Sequence, residues 1–223
     1  MSFALKAGRQ FALPFIHEAT YGTADFMDDD SNADARAWLD APWPTSRLAL
    51  WGEAGRGKTH LIHVWARRRG AAILSGASLN RSWALPATTA IAIDDADEAP
   101  EKPLLHLINV AAEENRAVLL ASRTAPSRWG TRLLDLASRV RAVPAVEIGQ
   151  PGEAMLAALF ASLLSARQVV APEGVQRWLL LRLPREPSAL REAAARIDRA
   201  SLAEGRRVSY ALAAAVLQSL LSD

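Results

Sequence analysis

Gly52-Glu53-Ala54-Gly55-Arg56-Gly57-Lys58-Thr59 has the spacing G-x-x-x-x-G-K-[ST], a pattern whose backbone can cradle phosphates. Main-chain N–H groups of such a loop point at an anion from the positive end of the helix that follows. Lys58 would reach the β- and γ-phosphates, and the Thr59 hydroxyl would ligate Mg²⁺. Together Gly52, Gly55, Gly57, Lys58 and Thr59 form a candidate site for a nucleoside triphosphate or diphosphate. The competing reading is a glycine-rich strand-to-helix turn that merely ends in Lys-Thr.

A second chemical signal is Ile91-Ala92-Ile93-Asp94-Asp95, an apolar run that ends in two acids. At the carboxyl end of a parallel strand next to the P-loop strand, Asp94 would hold Mg²⁺ through water. Asp95 would polarise a hydrolytic water, although a glutamate would reach further. The bland reading is a strand end with an acidic surface turn.

Arg139 ends the segment Trp129 to Arg139, just before another apolar run. A guanidinium there can reach across an interface to stabilise phosphoryl-transfer charge, or it can simply neutralise the helix C-terminal dipole. Asp28-Asp29-Asp30 is either a Mg²⁺ site or a solvated loop leading into a helix over 33–40, and the loop is the simpler reading. Gln10-Phe11-Ala12-Leu13-Pro14-Phe15 is extended because Pro14 lacks a backbone donor. It suits docking in an apolar groove as well as packing on its own domain.

These groups need a frame, and the hydrophobic pattern supplies one. Arg47–Trp51 reads as a buried strand before the loop, and His60–Arg69 as a helix after it. Runs at 71–75, 90–95, 116–122 and 145–148 alternate with helical stretches at 104–115 and 127–138, which predicts an α/β fold with a parallel sheet. Pro42-Trp43-Pro44 should break the helix ahead of the loop strand. After Gln150 the pattern changes to four helices, at 151–168, 172–183, 187–203 and 209–222, three of them opening with proline. The chain therefore divides into an arm over 1–20, a nucleotide domain over 21–150 and an all-α lid over 151–223.

Composition bounds the rest. The 223 residues can bury a sizeable core, and a hydrophobic fraction of 50% with 22% charged residues is ordinary for a globular protein. A net charge of +2 implies no strong nucleic-acid field. The absence of cysteine excludes disulfides and thiolate metal sites and fits a reducing cytoplasm. No apolar run approaches the ~18 residues of a membrane span. The N-terminus is expected to lack a signal peptide. Residues 177–207 carry eight arginines against four acids, which reads as a solvated helical face before it reads as a phosphate contact.

Taken together, these segments resemble the DnaA branch of the AAA+ ATPases over nearly the whole chain. Gln10 to Phe15 is similar to a hexapeptide by which members bind the DNA-polymerase sliding clamp, implying clamp contacts for Gln10, Leu13 and Phe15. Tyr21 to Phe26 with Ser31-Asn32-Ala33-Asp34-Ala35 resembles the segment that lines the adenine pocket. Leu50-Trp51-Gly52 with Gly57-Lys58-Thr59-His60-Leu61-Ile62-His63 resembles the strand, P-loop and helix start, which implies ATP or ADP as the nucleotide and adds His60 to its site. Ile93-Asp94-Asp95 resembles the Walker B end. Leu134-Asp135-Leu136-Ala137-Ser138-Arg139 resembles the segment whose last residue is the arginine finger, which implies that role for Arg139.

Departures from the family shape the expected function. DnaA continues into a helix-turn-helix domain not included here, so DNA contact is expected to be indirect or weak. Arg123 stands where DnaA has a sensor aspartate, and Ser188 where the lid carries a sensing arginine, with Arg185 and Arg191 out of register. Two altered sensors imply nucleotide binding with weak or no intrinsic turnover. The resemblance thus implies a cytoplasmic regulator, clamp-tethered, that promotes hydrolysis of DnaA-bound ATP; homodimer formation is left open. An active DNA-associated ATPase such as a helicase loader is the alternative. A small-molecule kinase fits the loop but explains neither the helical tail nor the hexapeptide.

Overall fold

Helix α1 (Asp30–Asp40) begins at Asp29, whose extended backbone and carboxylate build a capping box with Asn32. The computed structural model describes residues 27–80, 86–205 and 207–222. Gln10, Leu13, Phe15 and the segment from Tyr21 to Phe26 lie outside them. The acid triplet at 28–30 is thereby explained as helix entry. Asp29 accepts from the Ser31 hydroxyl at 2.5 Å, from Ser31 N–H at 3.2 Å and from Gly152 N–H at 3.2 Å. Asp28 pairs with Arg36 at 2.6 Å.

The Ser31 hydroxyl, ahead of the Gly152 and Ser31 N–H groups, holds the Asp29 carboxyl below its ordinary value of 3.8. The stabilisation is therefore present above that value and disappears as pH falls through the folded-state pKa. Urea unfolding should show Asp29→Ala less stable by about 1 kcal/mol at pH 7. In acid the two proteins should converge.

After α1, Ala41 turns extended, and Trp43 folds back so that its indole N–H reaches the Trp38 carbonyl at 2.7 Å. Its ring stacks on Trp65 at 5.2 Å. Strand β1 (Arg47–Trp51) leads into α2 (Lys58–Arg69), then β2 (Ala72–Ser75) and a 3-10 turn over Gly76–Ser78. Strand β3 (Ala90–Asp94) runs into a second such turn at Ala96–Glu98 and then α3 (Glu101–Glu113). Strand β4 (Ala117–Ser122), α4 (Leu134–Arg141) and β5 (Ala145–Glu147) complete the sheet.

All pairings are parallel, in the order β2-β3-β4-β1-β5. The central strands β1, β3 and β4 are buried almost throughout, whereas the edge strand β2 alternates between half-buried and exposed residues. That contrast is what parallel sheets covered on both faces require. Leu48, Leu50, Ala92 and Leu119 meet α1 and α2 through Ala35, Leu39, Leu61, Ile62 and Trp65. Ala49, Ile91, Ile93 and Leu120 meet α3 and α4 through Leu104, Leu107, Ile108, Leu136 and Val140.

The strand order corrects one expectation. Asp94 does not end a strand adjacent to the P-loop strand, because β4 lies between β3 and β1. Strands β1, β3 and β4 each carry a buried apolar run, so local pattern alone could not reveal which of them sits inside.

The described residues divide into two compact units, one ending at Met155 and the other beginning at Leu156, with the boundary inside α5 (Glu153–Ala166). The second unit continues with α6 (Glu173–Leu180), α7 (Pro187–Glu204) and α8 (Tyr210–Leu221). Only α7 opens on its proline; Pro172 caps α6 and Pro151 stands ahead of α5. Phe160, Leu164, Val175, Leu179, Leu190, Ile197 and Ala213 are buried in its core. Among the described residues no helix is long and apolar enough to cross a membrane.

Candidate functional site

The loop between β1 and α2 is shaped by glycines at three backbone positions. Gly57 is the N-cap of α2 with φ 94°, a left-handed value that favours glycine, and a side chain there would point into open space. A Cβ on Gly52 would lie 2.6 Å from the Ile148 carbonyl oxygen, so no side chain fits where β1 passes the end of β5. Gly55 has φ 76°. Helix α2 starts at Lys58, two residues earlier than its hydrophobic pattern implied, and places the lysine and threonine in the first turn.

That first turn has no acidic residue and no side-chain cap. By helix geometry its leading N–H groups have no intrahelical acceptor, which leaves donors for an anion. His60 is buried, with 4% exposure, so its contribution to such an anion is its main-chain N–H.

Lys58 is 7% exposed, and its Nζ donates to the Gly52 and Glu53 carbonyls at 2.7 and 2.8 Å. Burial lowers its pKa from 10.5, while Asp94, Asp95 and Asp97 oppose that shift and Arg123 adds to it. The Nζ touches two neutral carbonyls while those three acids act from further off, so a phosphate would offer it a direct counter-charge. Thr59 Oγ1 donates to Asp94 Oδ2 at 2.7 Å, so the hydroxyl and the carboxylate converge across the gap that β4 opens.

These residues fit a Mg²⁺–nucleotide. Mg²⁺ keeps several waters and takes one or two protein oxygens plus phosphates. Thr59 and Asp94 offer that number. Among the described residues no three His, Cys, Asp or Glu side chains are grouped to hold a metal by themselves.

Asp95 is the N-cap of the turn at Ala96–Glu98 and adopts a left-handed backbone, φ 49° and ψ 48°. Gly76 makes room for it: a Cβ on Gly76 would sit 2.1 Å from the Asp95 carbonyl oxygen. Burial first, then the Asp94 and Glu98 charges, raise the Asp95 pKa above 3.8. The charged form is therefore disfavoured in the fold, and the penalty grows as pH rises through the range above 3.8. Asp95→Asn should raise the thermal midpoint of the ligand-free protein at pH 7 and leave it unchanged well below pH 3.8.

Arg123, just beyond β4, is drawn into the same acidic turn. Its N–H donates to Asp97 Oδ2 at 3.0 Å and its guanidinium pairs with Glu98 at 3.2 Å. Only Asp94 and Asp95 stood out in the sequence; the part of Asp97 and Glu98, and their closure by Arg123, depend on β4 lying next to β3.

Arg139 lies in the last turn of α4, its side chain 37% exposed and paired with Asp135 at 3.2 Å, one turn back. Ser188, in the second unit, donates from its hydroxyl to Glu186 at 3.3 Å. The structure thus gathers Gly52, Gly57, Lys58, Thr59 and Asp94 around one loop, with Asp95 in the turn that follows. Arg139 belongs to a different helix with its own ion pair. A separate cavity of about 160 Å³ between α1 and α2, lined by Arg36, Leu39, Leu61, Trp65 and Arg68, contains none of these groups.

No family model and no curated protein matches the sequence. Solved structures do. Domain III of the Thermotoga maritima replication initiation protein DnaA superposes with a TM-score of 0.77 at 17% identity, over 91% of this chain and 98% of that one. The replication initiator DnaA bound to AMPPCP and single-stranded DNA gives 0.64 at 17% identity, covering 79% of this chain, which spans 64% of that one. The Holliday junction branch migration motor RuvB of Thermotoga maritima gives 0.59 at 17% identity, over 78% of this chain and 61% of that one. At such identities the likeness establishes the fold alone, a five-stranded parallel α/β core followed by a C-terminal helical region, the architecture shared with these DnaA and RuvB structures.

Proposed function

We propose that the protein is a nucleotide-binding regulator of replication initiation, similar to the DnaA-inactivating factor Hda. Residues 21–150 act as the nucleotide domain and 151–223 as its lid. A bound ATP or ADP with Mg²⁺ supplies the negative charge for which the loop's donors are placed. Lys58 turns from the loop carbonyls to that charge, the α2 N–H groups hold it, and Thr59 with Asp94 orients the metal. Gln10, Leu13 and Phe15 tether the protein to the sliding clamp in the cytoplasm. Arg139 is then presented to ATP held by DnaA, where its charge stabilises phosphoryl transfer and so returns the initiator to its ADP form.

The observation that carries this reading is the combination at the P-loop. The binding elements Lys58, Thr59 and Asp94 are assembled, yet the residue projecting from β4 is a cation, Arg123, tied to Asp97 and Glu98. That set suits holding a nucleotide more than turning it over. The test is hydrolysis of DnaA-bound ATP with clamp, DNA and this protein present. Stimulation supports the reading, and its absence under ATP and ADP alike overturns it. A clamp pull-down adds a second check: binding that survives Gln10→Ala with Leu13→Ala removes the tether.

One other reading is an active DNA-associated ATPase, in which Asp95, following Asp94 into the turn after β3, would accept a proton from the attacking water. That reading requires intrinsic, DNA-stimulated hydrolysis that Asp95→Asn abolishes.

A further inference from the structure

Glu101 occupies the first turn of α3, but its carboxylate serves another helix. Oε1 accepts the Arg132 N–H at 2.8 Å and Oε2 the Leu133 N–H at 2.9 Å, 31 and 32 residues along the chain. Leu133 is the N-cap of α4 and has no side-chain oxygen with which to cap it. The two N–H groups, then the Arg132 charge, hold the Glu101 carboxyl below its ordinary value, so it is ionised at neutral pH.

Helix α4 has eight residues and is otherwise held by Leu136, Ala137 and Val140. Leu136 and Val140 pack in the cluster that contains Leu104, Leu107 and Ile108 of α3. Apolar contact fixes how close two helices lie but is non-directional. Two charge-assisted bonds at the entry to α4 add what packing lacks, a fixed axial register and roll. At 1.5 Å per residue, Arg139 stands about 9 Å along the axis from Leu133, so a slip at the entry is carried to its guanidinium.

We propose that Glu101 is a positioning residue for Arg139: by clamping the main chain of Arg132 and Leu133 it sets where α4 presents its terminal arginine. This inference rests on the reading of Arg139 as the residue that acts on a partner's nucleotide. Glu101 itself touches no reacting atom.

The test compares wild-type, Glu101→Ala and Glu101→Gln in the DnaA–clamp hydrolysis assay, with thermal midpoints measured alongside. Misplacement on the ångström scale costs up to about 10²-fold in rate, so Glu101→Ala should lower the maximal stimulated rate about tenfold or more. The concentration giving half-maximal stimulation should stay within about twofold. Glu101→Gln, which keeps one acceptor oxygen, should recover part of the rate, and it carries the test should the alanine variant fail to fold. Amide exchange at Arg132 and Leu133 should quicken in step with the loss. An unchanged maximal rate in either folded variant overturns the positioning role, as does a loss confined to half-maximal concentration, which would make Glu101 part of a binding surface. A wild-type protein that stimulates nothing overturns the functional reading itself.

Discussion

Stimulated hydrolysis of DnaA-bound ATP should fall by on the order of 10³–10⁵-fold when Arg139 is replaced by alanine, the range over which arginine fingers act. The guanidinium lies in the last turn of α4, half-exposed, and its partner is Asp135 on the same helix. An exposed i,i+4 pair is worth only a few tenths of a kcal/mol. Exchanging that carboxylate for a phosphoryl group developing charge in a dry interface therefore costs little and stabilises a great deal. Clamp pull-down and nucleotide-dependent thermal shift should be unaffected, because the clamp hexapeptide and the P-loop contain neither Arg139 nor its partner. Arg139→Lys should also fail, since an ammonium cannot reproduce the planar fork of donors. Stimulation that survives in Arg139→Ala would show that another cation does the work.

Lys58→Ala should weaken ATP and ADP binding by about 10²-fold or more, the effect of removing one member of a buried charge contact. Thermal shift is the cleanest reading. A ligand at a hundred times its Kd stabilises the native state by about 2.7 kcal/mol, so the wild-type midpoint should rise by several degrees and the variant's should not move. The ligand-free variant should be as stable as wild-type, or more so. Burial lowers the Lys58 pKa, so the protonated form that prevails below that value carries a desolvation penalty, which alanine removes together with two hydrogen bonds to carbonyls. A ligand-free protein that unfolds without Lys58 would instead make the residue a structural pin.

Chemistry that depends on short stretches of chain was legible without coordinates. The spacing from Gly52 to Thr59, the apolar run into Asp94 and Asp95, and the change at Gln150 from alternating elements to helices follow from steric and periodic rules that span a few residues. Those rules yielded the α/β class, the parallel sheet and the helical tail. The acids at 28–30 read as a loop leading into a helix over 33–40; the helix instead starts at Asp30 with Asp29 as its cap, and the Gly152 N–H that Asp29 accepts left no local sign.

Tertiary structure decided which of these pieces meet. Strand order placed β4 between β1 and β3, a choice that equally apolar strands leave open, and with it brought Arg123 onto Asp97 and Glu98. The space beside Gly76 for the left-handed Asp95 is set by a neighbouring strand's exit and leaves no local mark. Glu101 reads as an ordinary first-turn acid until α4 is folded against α3. Sequence by itself therefore determined that a loop with phosphate-binding spacing sits on an α/β core, because loop, strand and helix are local solutions of backbone sterics. Only the tertiary structure decided what surrounds that loop and which carboxylate meets the entry to α4, because those partners come from distant segments joined by packing.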